Sequence, residues 1–138
     1  NLIKGGGGAL LMEKIVASYS TQFVVIVDTS KLVSKLGKFP LPIEIVQFGS
    51  EKTKESVERL LIELGYKTGK VIFRRSATNK YVTDQQNYIL DLHLNEIQDP
   101  YSLYQRLLAI VGVVEVGLFI NMASKIIVGD DNGSCRVI

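Results

Sequence analysis

The sequence predicts an α/β fold: part of a Rossmann-like parallel-sheet domain carrying an inserted, ferredoxin-like β-α-β-β-α-β lobe. Two observations point there. Phe23-Val24-Val25-Ile26-Val27 is an unbroken apolar, β-branched run placed after a helix-forming stretch, the pattern of a strand buried on both faces of a parallel sheet. Past the prolines at 40 and 42 the order changes, and strand, helix, strand, strand, helix and strand follow in turn.

The elements are expected as follows. Leu2-Ile3, after Asn1, reads as the tail of a strand already under way. Lys4-Gly5-Gly6-Gly7-Gly8 is a loop, and residues 9–20 form an amphipathic helix with Leu10, Leu11, Ile15 and Val16 on or near its buried side. Glu13 lies roughly opposite Leu11 and Ile15 on the helical wheel. The strand Phe23–Val27 ends at Asp28, so Asp28-Thr29-Ser30-Lys31 sits at a carboxyl end, where open α/β sheets place ligands. Leu36–Pro42 is a stiff connector, because each proline holds its predecessor extended.

The inserted lobe is expected over residues 43–117. Its strands are Ile43–Phe48, Lys70–Arg74, Asn87–Leu94 and Val113–Leu118; its helices are Lys52–Leu64 and Pro100–Ile110. Tyr81-Val82-Thr83-Asp84 forms a turn ahead of the third strand. Residues 118–138, with a strand at Lys125–Val128 and a turn at Asp130–Gly133, rejoin residues 1–42 in the larger domain.

Composition narrows the function classes. A length of 138 residues allows a core of its own, and 46% hydrophobic with 22% charged residues is globular and not disordered. A net charge of +2 gives little support to nucleic-acid or membrane-surface binding. The one cysteine, Cys135, cannot form an internal disulfide, which suits a reducing compartment. No apolar run reaches the ~20 residues needed to span a bilayer, and a cytoplasmic protein is expected.

The chemistry gathers at the first loop. Four glycines let a ligand approach bare main-chain N–H groups, and the following helix aims its positive end at an anion. Lys4 adds a mobile cation, and Glu13 a carboxylate about one turn into the helix. The spacing matches neither the dinucleotide fingerprint nor the Walker loop. By itself it fits a flexible turn or a linker scar equally well, and Glu13 alone fits a solvated carboxylate.

Longer stretches add a resemblance. IKGGGGALLMEKIVAS (3–18), VDTSKLVSKLGKFPLP (27–42), YVTDQQNYILDLH (81–93) and VVEVGLFINMASKIIVG (113–129) resemble type A ribose-5-phosphate isomerase, in order and over nearly the whole chain. The resemblance implies interconversion of ribose 5-phosphate and ribulose 5-phosphate through an enediolate, with no metal or other cofactor. It implies Glu13 as the base, Lys4, Gly5, Gly6 and Gly7 on the substrate-binding loop, and Lys31 as a second substrate-binding lysine. It also implies a homo-oligomer, a dimer or tetramer. The sequence departs from the family in one respect. A Gly/Thr/Ser-rich phosphate loop and a paired-aspartate motif, expected ahead of the glycines, are absent from these residues. The chain is therefore expected to be the C-terminal part of such an isomerase, inactive alone.

The rival class is a non-catalytic module, either phosphosugar-binding or ferredoxin-like and regulatory. An RNA-binding reading draws on the basic stretch Lys70–Arg75 with Lys80, but the strands offer Tyr88 and no run of base-stacking aromatics. That stretch reads as a solvated strand edge. His93 reads as exposed or paired with a neighbour, and Cys135 as inert.

Overall fold

The computed structural model describes residues 1–66 and 70–138. It is an α/β structure of mixed sheets with three α-helices among the described residues. The first half contains β1 (Leu2–Ile3), α1 (Leu10–Tyr19), β2 (Val24–Asp28) with a 3₁₀ turn at Thr29–Lys31, β3 (Leu41–Ile45) and α2 (Ser50–Glu63). Then come β4 (Lys70–Phe73), the small hairpin β5 (Arg75–Ser76) and β6 (Asn79–Lys80), and β7 (Tyr88–His93). The chain closes with α3 (Pro100–Leu108), β8 (Val113–Val116), β9 (Leu118–Phe119), β10 (Lys125–Gly129) and β11 (Cys135–Val137).

The main core lies under a four-stranded antiparallel sheet of order β4-β7-β3-β8. Leu41, Ile43 and Ile45 alternate along β3 onto one face and meet Val57, Leu60 and Leu61 of α2 and Leu103 and Leu107 of α3. Asp99 caps α3 by accepting from the Ser102 N–H, and Pro100 fills the first helical position. The opposite face, carrying Pro42, Glu44 and Asp91, meets α1 and the glycine loop.

A second sheet, β11-β10-β2, joins the two ends of the sequence. β2 runs parallel to β10 with Val24 opposite Lys125 and Asp28 opposite Gly129, and β11 folds back antiparallel on β10. β1 pairs antiparallel with β9, and the Lys4 N–H donates to the Gly117 carbonyl at 2.8 Å. These pairings bring the glycine loop to the margin of the four-stranded sheet.

Three local expectations are corrected. The strand after α1 is not buried on both faces: Val24 is 42% and Ile26 76% exposed, because no described element covers that side. On α1 the buried stripe is Leu10, Lys14 and Ala17, while Ile15 and Val16 face out. The i, i+4, i+7 stripe wins over apolarity because Lys14 finds polar partners beneath it. The third change concerns β3, which starts at Leu41 and takes in Pro42, and ends at Ile45, leaving Phe48 exposed. Pro42 lies one residue into this interior strand; it has no N–H to give the ladder, but its carbonyl accepts from the Gly117 N–H at 2.8 Å.

Candidate active site

The glycine loop is a tight turn shaped by two of its residues. Gly5 and Gly8 have φ of +100° and +92°, and the Gly8 N–H closes the turn on the Gly5 carbonyl at 3.0 Å. Both are buried: a Cβ on Gly5 would lie 2.6 Å from the Leu10 Cβ, and one on Gly8 would collide with the Tyr81 ring. Gly6 and Gly7 between them are exposed, and the space beside Gly7 is open.

The loop is gripped from the four-stranded sheet. Arg74, just past β4, donates from Nη1 to the Gly5 carbonyl at 2.9 Å and the Gly6 carbonyl at 3.0 Å. Its Nε and Nη2 make a fork with the Asp91 carboxylate of β7, at 2.9 and 2.6 Å. The turn that carries Tyr81 is fixed below: the Thr83 hydroxyl and the Asn87 amide donate to Oε1 of buried Glu44, at 2.8 and 3.0 Å.

Helix α1 leaves the loop with Ala9 at its N-cap and no side-chain cap. The Glu13 N–H takes the Ala9 carbonyl at 2.9 Å, so the N–H groups of the first turn ahead of it lack helical acceptors. Glu13 and Lys4 meet: Nζ lies 3.3 Å from Oε1, with both side chains partly exposed. Of the residues singled out in the sequence, Lys4, Gly5, Gly6, Gly7 and Glu13 thus share one locale.

The next residue, Lys14, points inward. Its ammonium donates to Oε1 of Glu115 at 2.8 Å and to the carbonyls of Val116 and Leu118, and it lies 4.5 Å from the Tyr104 ring centroid. Burial pushes the Lys14 ammonium below the ordinary lysine range, opposed by its bond to Glu115. Lys14 thereby fixes the rotation of α1 and so the direction in which Glu13 projects.

Lys31 stands apart. It ends the 3₁₀ turn after β2, and among the described residues no hydrogen bond or ion pair joins it to Glu13, Lys4 or the glycines. It borders a cavity of about 510 Å³ at the carboxyl ends of β2 and β10, with Asp28, Gly129, Asp130 and Asp131. The Ser30 hydroxyl and N–H bond to Asp28 and, with Lys31 nearby, hold its carboxyl below the usual range.

Sequence reasoning missed Arg74 and Lys14. Arg74 belongs to the stretch that reads as a solvated edge, and β4 is an edge strand, yet this side chain turns inward to the loop. The available signal was pairing: with Ile72 opposite Asp91, an arginine two residues on lies diagonally across from that carboxylate. Lys80 stacks on Phe73, 3.6 Å from the ring centroid, and pairs with Glu51. His93 and Cys135 are exposed.

The family described as ribose 5-phosphate isomerase A (phosphoriboisomerase A) matches residues 1–133. The chain is 50% identical over 131 residues to ribose-5-phosphate isomerase A of Limosilactobacillus reuteri, covering 95% of this chain and 55% of that protein. It is 51% identical over 133 residues to that of Streptococcus pneumoniae, covering 96% and 56%. Among solved structures it is similar to ribose 5-phosphate isomerase from Plasmodium falciparum, with TM-score 0.90, 37% identity and coverage of 99% of this chain and 58% of that one. For ribose 5-phosphate isomerase A from Neisseria gonorrhoeae the TM-score is 0.85, with 39% identity and coverage of 99% and 56%. The chain spans about half the length of the curated relatives it matches.

Proposed function

The chain belongs to the ribose 5-phosphate isomerase A family, and from that premise we propose that it supplies the proton-transfer part of an aldose–ketose isomerase. The reaction interconverts D-ribose 5-phosphate and D-ribulose 5-phosphate through an enediolate. The Glu13 carboxylate takes the C2 proton of the open-chain aldose, and the electron pair moves onto the C1 carbonyl oxygen. The proton returns to C1, and the hydroxyl proton passes from O2 to O1. Lys4 and the N–H groups of Gly6 and Gly7 stabilise the negative oxygen of the intermediate, and Lys31 holds another oxygen of the sugar phosphate. The observation that carries this reading is the 3.3 Å contact between Lys4 and Glu13 beside the glycine turn: base and electrophile stand within one substrate's reach.

The domain organisation belongs to the same proposal. Residues 43–117 form a ferredoxin-like lobe, supported by the order β4-β7-β3-β8 with α2 and α3 on one face. Residues 1–42 and 118–138 belong to a Rossmann-like domain, supported by the parallel pairing of β2 and β10. A cytoplasmic homo-oligomer acting on a phosphorylated pentose completes the reading; among the described residues no helix is long and apolar enough to cross a membrane.

A second reading is a phosphosugar-binding module without turnover: the exposed Gly6 and Gly7 beside Lys4 would hold a sugar phosphate whether or not Glu13 moves a proton. Assaying the intact protein with ribose 5-phosphate separates the two. Conversion to ribulose 5-phosphate is expected; saturable binding without conversion would establish the binding module instead.

A further inference from the structure

We propose that Arg74 is a positioning residue: by holding the Gly5 and Gly6 carbonyls, it turns the N–H groups of Gly6 and Gly7 outward as a paired cradle for an anionic substrate oxygen. The proposal rests on reading this loop as the substrate loop. The inference follows from peptide geometry. No described peptide bond is cis, and in a trans peptide the carbonyl of one residue and the N–H of the next point in opposite directions. Arg74 Nη1 takes both carbonyls from one side, at 2.9 and 3.0 Å. The N–H groups of Gly6 and Gly7 must therefore face away from Arg74; both residues are exposed, with open space beside Gly7 and the Phe39 ring beside Gly6. Among the described residues neither N–H has a backbone acceptor.

The arrangement uses the whole guanidinium. One edge is committed to Asp91 and the remaining nitrogen to the loop, so Asp91 sets the plane in which Nη1 points. Arg74 and Asp91 are only 15% and 19% exposed, so solvent competes weakly for these bonds. A lysine ammonium cannot reproduce a planar fork on one carboxylate while reaching two carbonyls behind it. The four-stranded sheet thus governs a loop contributed by a distant part of the sequence. Merely packing the loop would not require a charged group aimed at its two outward-facing peptides.

The test follows the glycine amides by NMR in the intact protein, comparing wild type with Arg74→Lys and Asp91→Asn. Inorganic phosphate and phospho-erythronic acid are the probes, and their comparison tells whether the cradle takes a phosphate or the oxyanion at the reacting end. In wild type, the Gly6 and Gly7 amides are expected to shift with one of these probes. In Arg74→Lys those shifts should disappear and the probe's affinity should fall about 10-fold or more, with the other amides unmoved. Asp91→Asn should give the same change in smaller measure, and it decides the matter if Arg74→Lys does not fold. Shifts and affinity kept within about two-fold in a folded variant, a range smaller than one lost hydrogen bond, would overturn the proposal. Wild-type turnover without Gly6 and Gly7 shifts also removes the cradle while leaving the isomerase reading intact. Shifts that depend on Arg74, without turnover, support the cradle and remove the catalytic reading.

Discussion

The ammonium of Lys14 lies 2.8 Å from Oε1 of Glu115 in the seam between α1 and β8, with side chains only 9% and 15% exposed. This pair anchors the helix one residue beyond the proposed base. Lys14→Met should strip Glu115 of its partner and destabilise the protein by about 3 kcal/mol. Chemical denaturation checks this, and adding Glu115→Gln should recover part of the loss. A Lys14→Met variant as stable as wild type would show that α1 is held by its apolar contacts alone.

The same pair predicts a pH dependence. Burial lowers the Lys14 pKa from 10.5 in the folded state, so the unfolded chain binds more protons between the folded value and 10.5. The charged lysine therefore opposes folding below that window, and the opposition is relieved as pH rises through it. Tyr104 acts in the other direction: burial, then Glu115, raises its pKa above 10.0, so its contribution is lost as pH climbs through the folded value. Thermal melts from pH 8 to 11 should show Tyr104→Phe losing less stability than wild type above about pH 10. Lys14→Met should lose more than wild type across that range. Identical profiles for all three proteins would contradict both assignments.

Lys31→Ala tests the second lysine of the proposed site. If it holds a substrate oxygen in ground and transition states alike, KM should rise with kcat nearly unchanged. Losing a charge-assisted hydrogen bond of about 1.5–3 kcal/mol corresponds to roughly 10- to 150-fold. Unchanged steady-state constants would leave Lys31 as a surface charge at the end of β2.

Residues 1–138 expressed alone should show no isomerase activity, because the paired-aspartate and phosphate-loop motifs are not among them. The uncovered face of β2, where Ile26 is 76% exposed, should favour association. Hydrogen exchange should be faster in β2 than in β3 and β7, which lie inside the four-stranded sheet. Turnover of ribose 5-phosphate by this chain would show that the absent motifs are dispensable.

The sequence was most legible where chemistry and local pattern coincide. A lysine, four glycines and a glutamate one turn into a helix marked out one loop without any knowledge of the sheet, and the contact of Lys4 with Glu13 there was added by the fold. The strand and helix order between residues 41 and 116 was likewise written in local apolar runs. What was not legible depended on register. Arg74 acquires its role only when β4 pairs with β7 and brings Asp91 within reach. Lys14 carries no local sign of burial, because its partners come from residues 115–118. Ile15 and Val16 misled for the converse reason: apolarity does not say which side of a helix another element will cover.

The central claim, that Glu13 moves the proton, is tested most directly by Glu13→Gln in the intact protein. The amide keeps the shape of the carboxylate but cannot accept the proton from carbon. Steady-state assay with ribose 5-phosphate should show kcat lowered by about 10²-fold or more, the usual size of a general-base effect, with substrate binding retained. Activity within a few-fold of wild type would remove Glu13 from the mechanism.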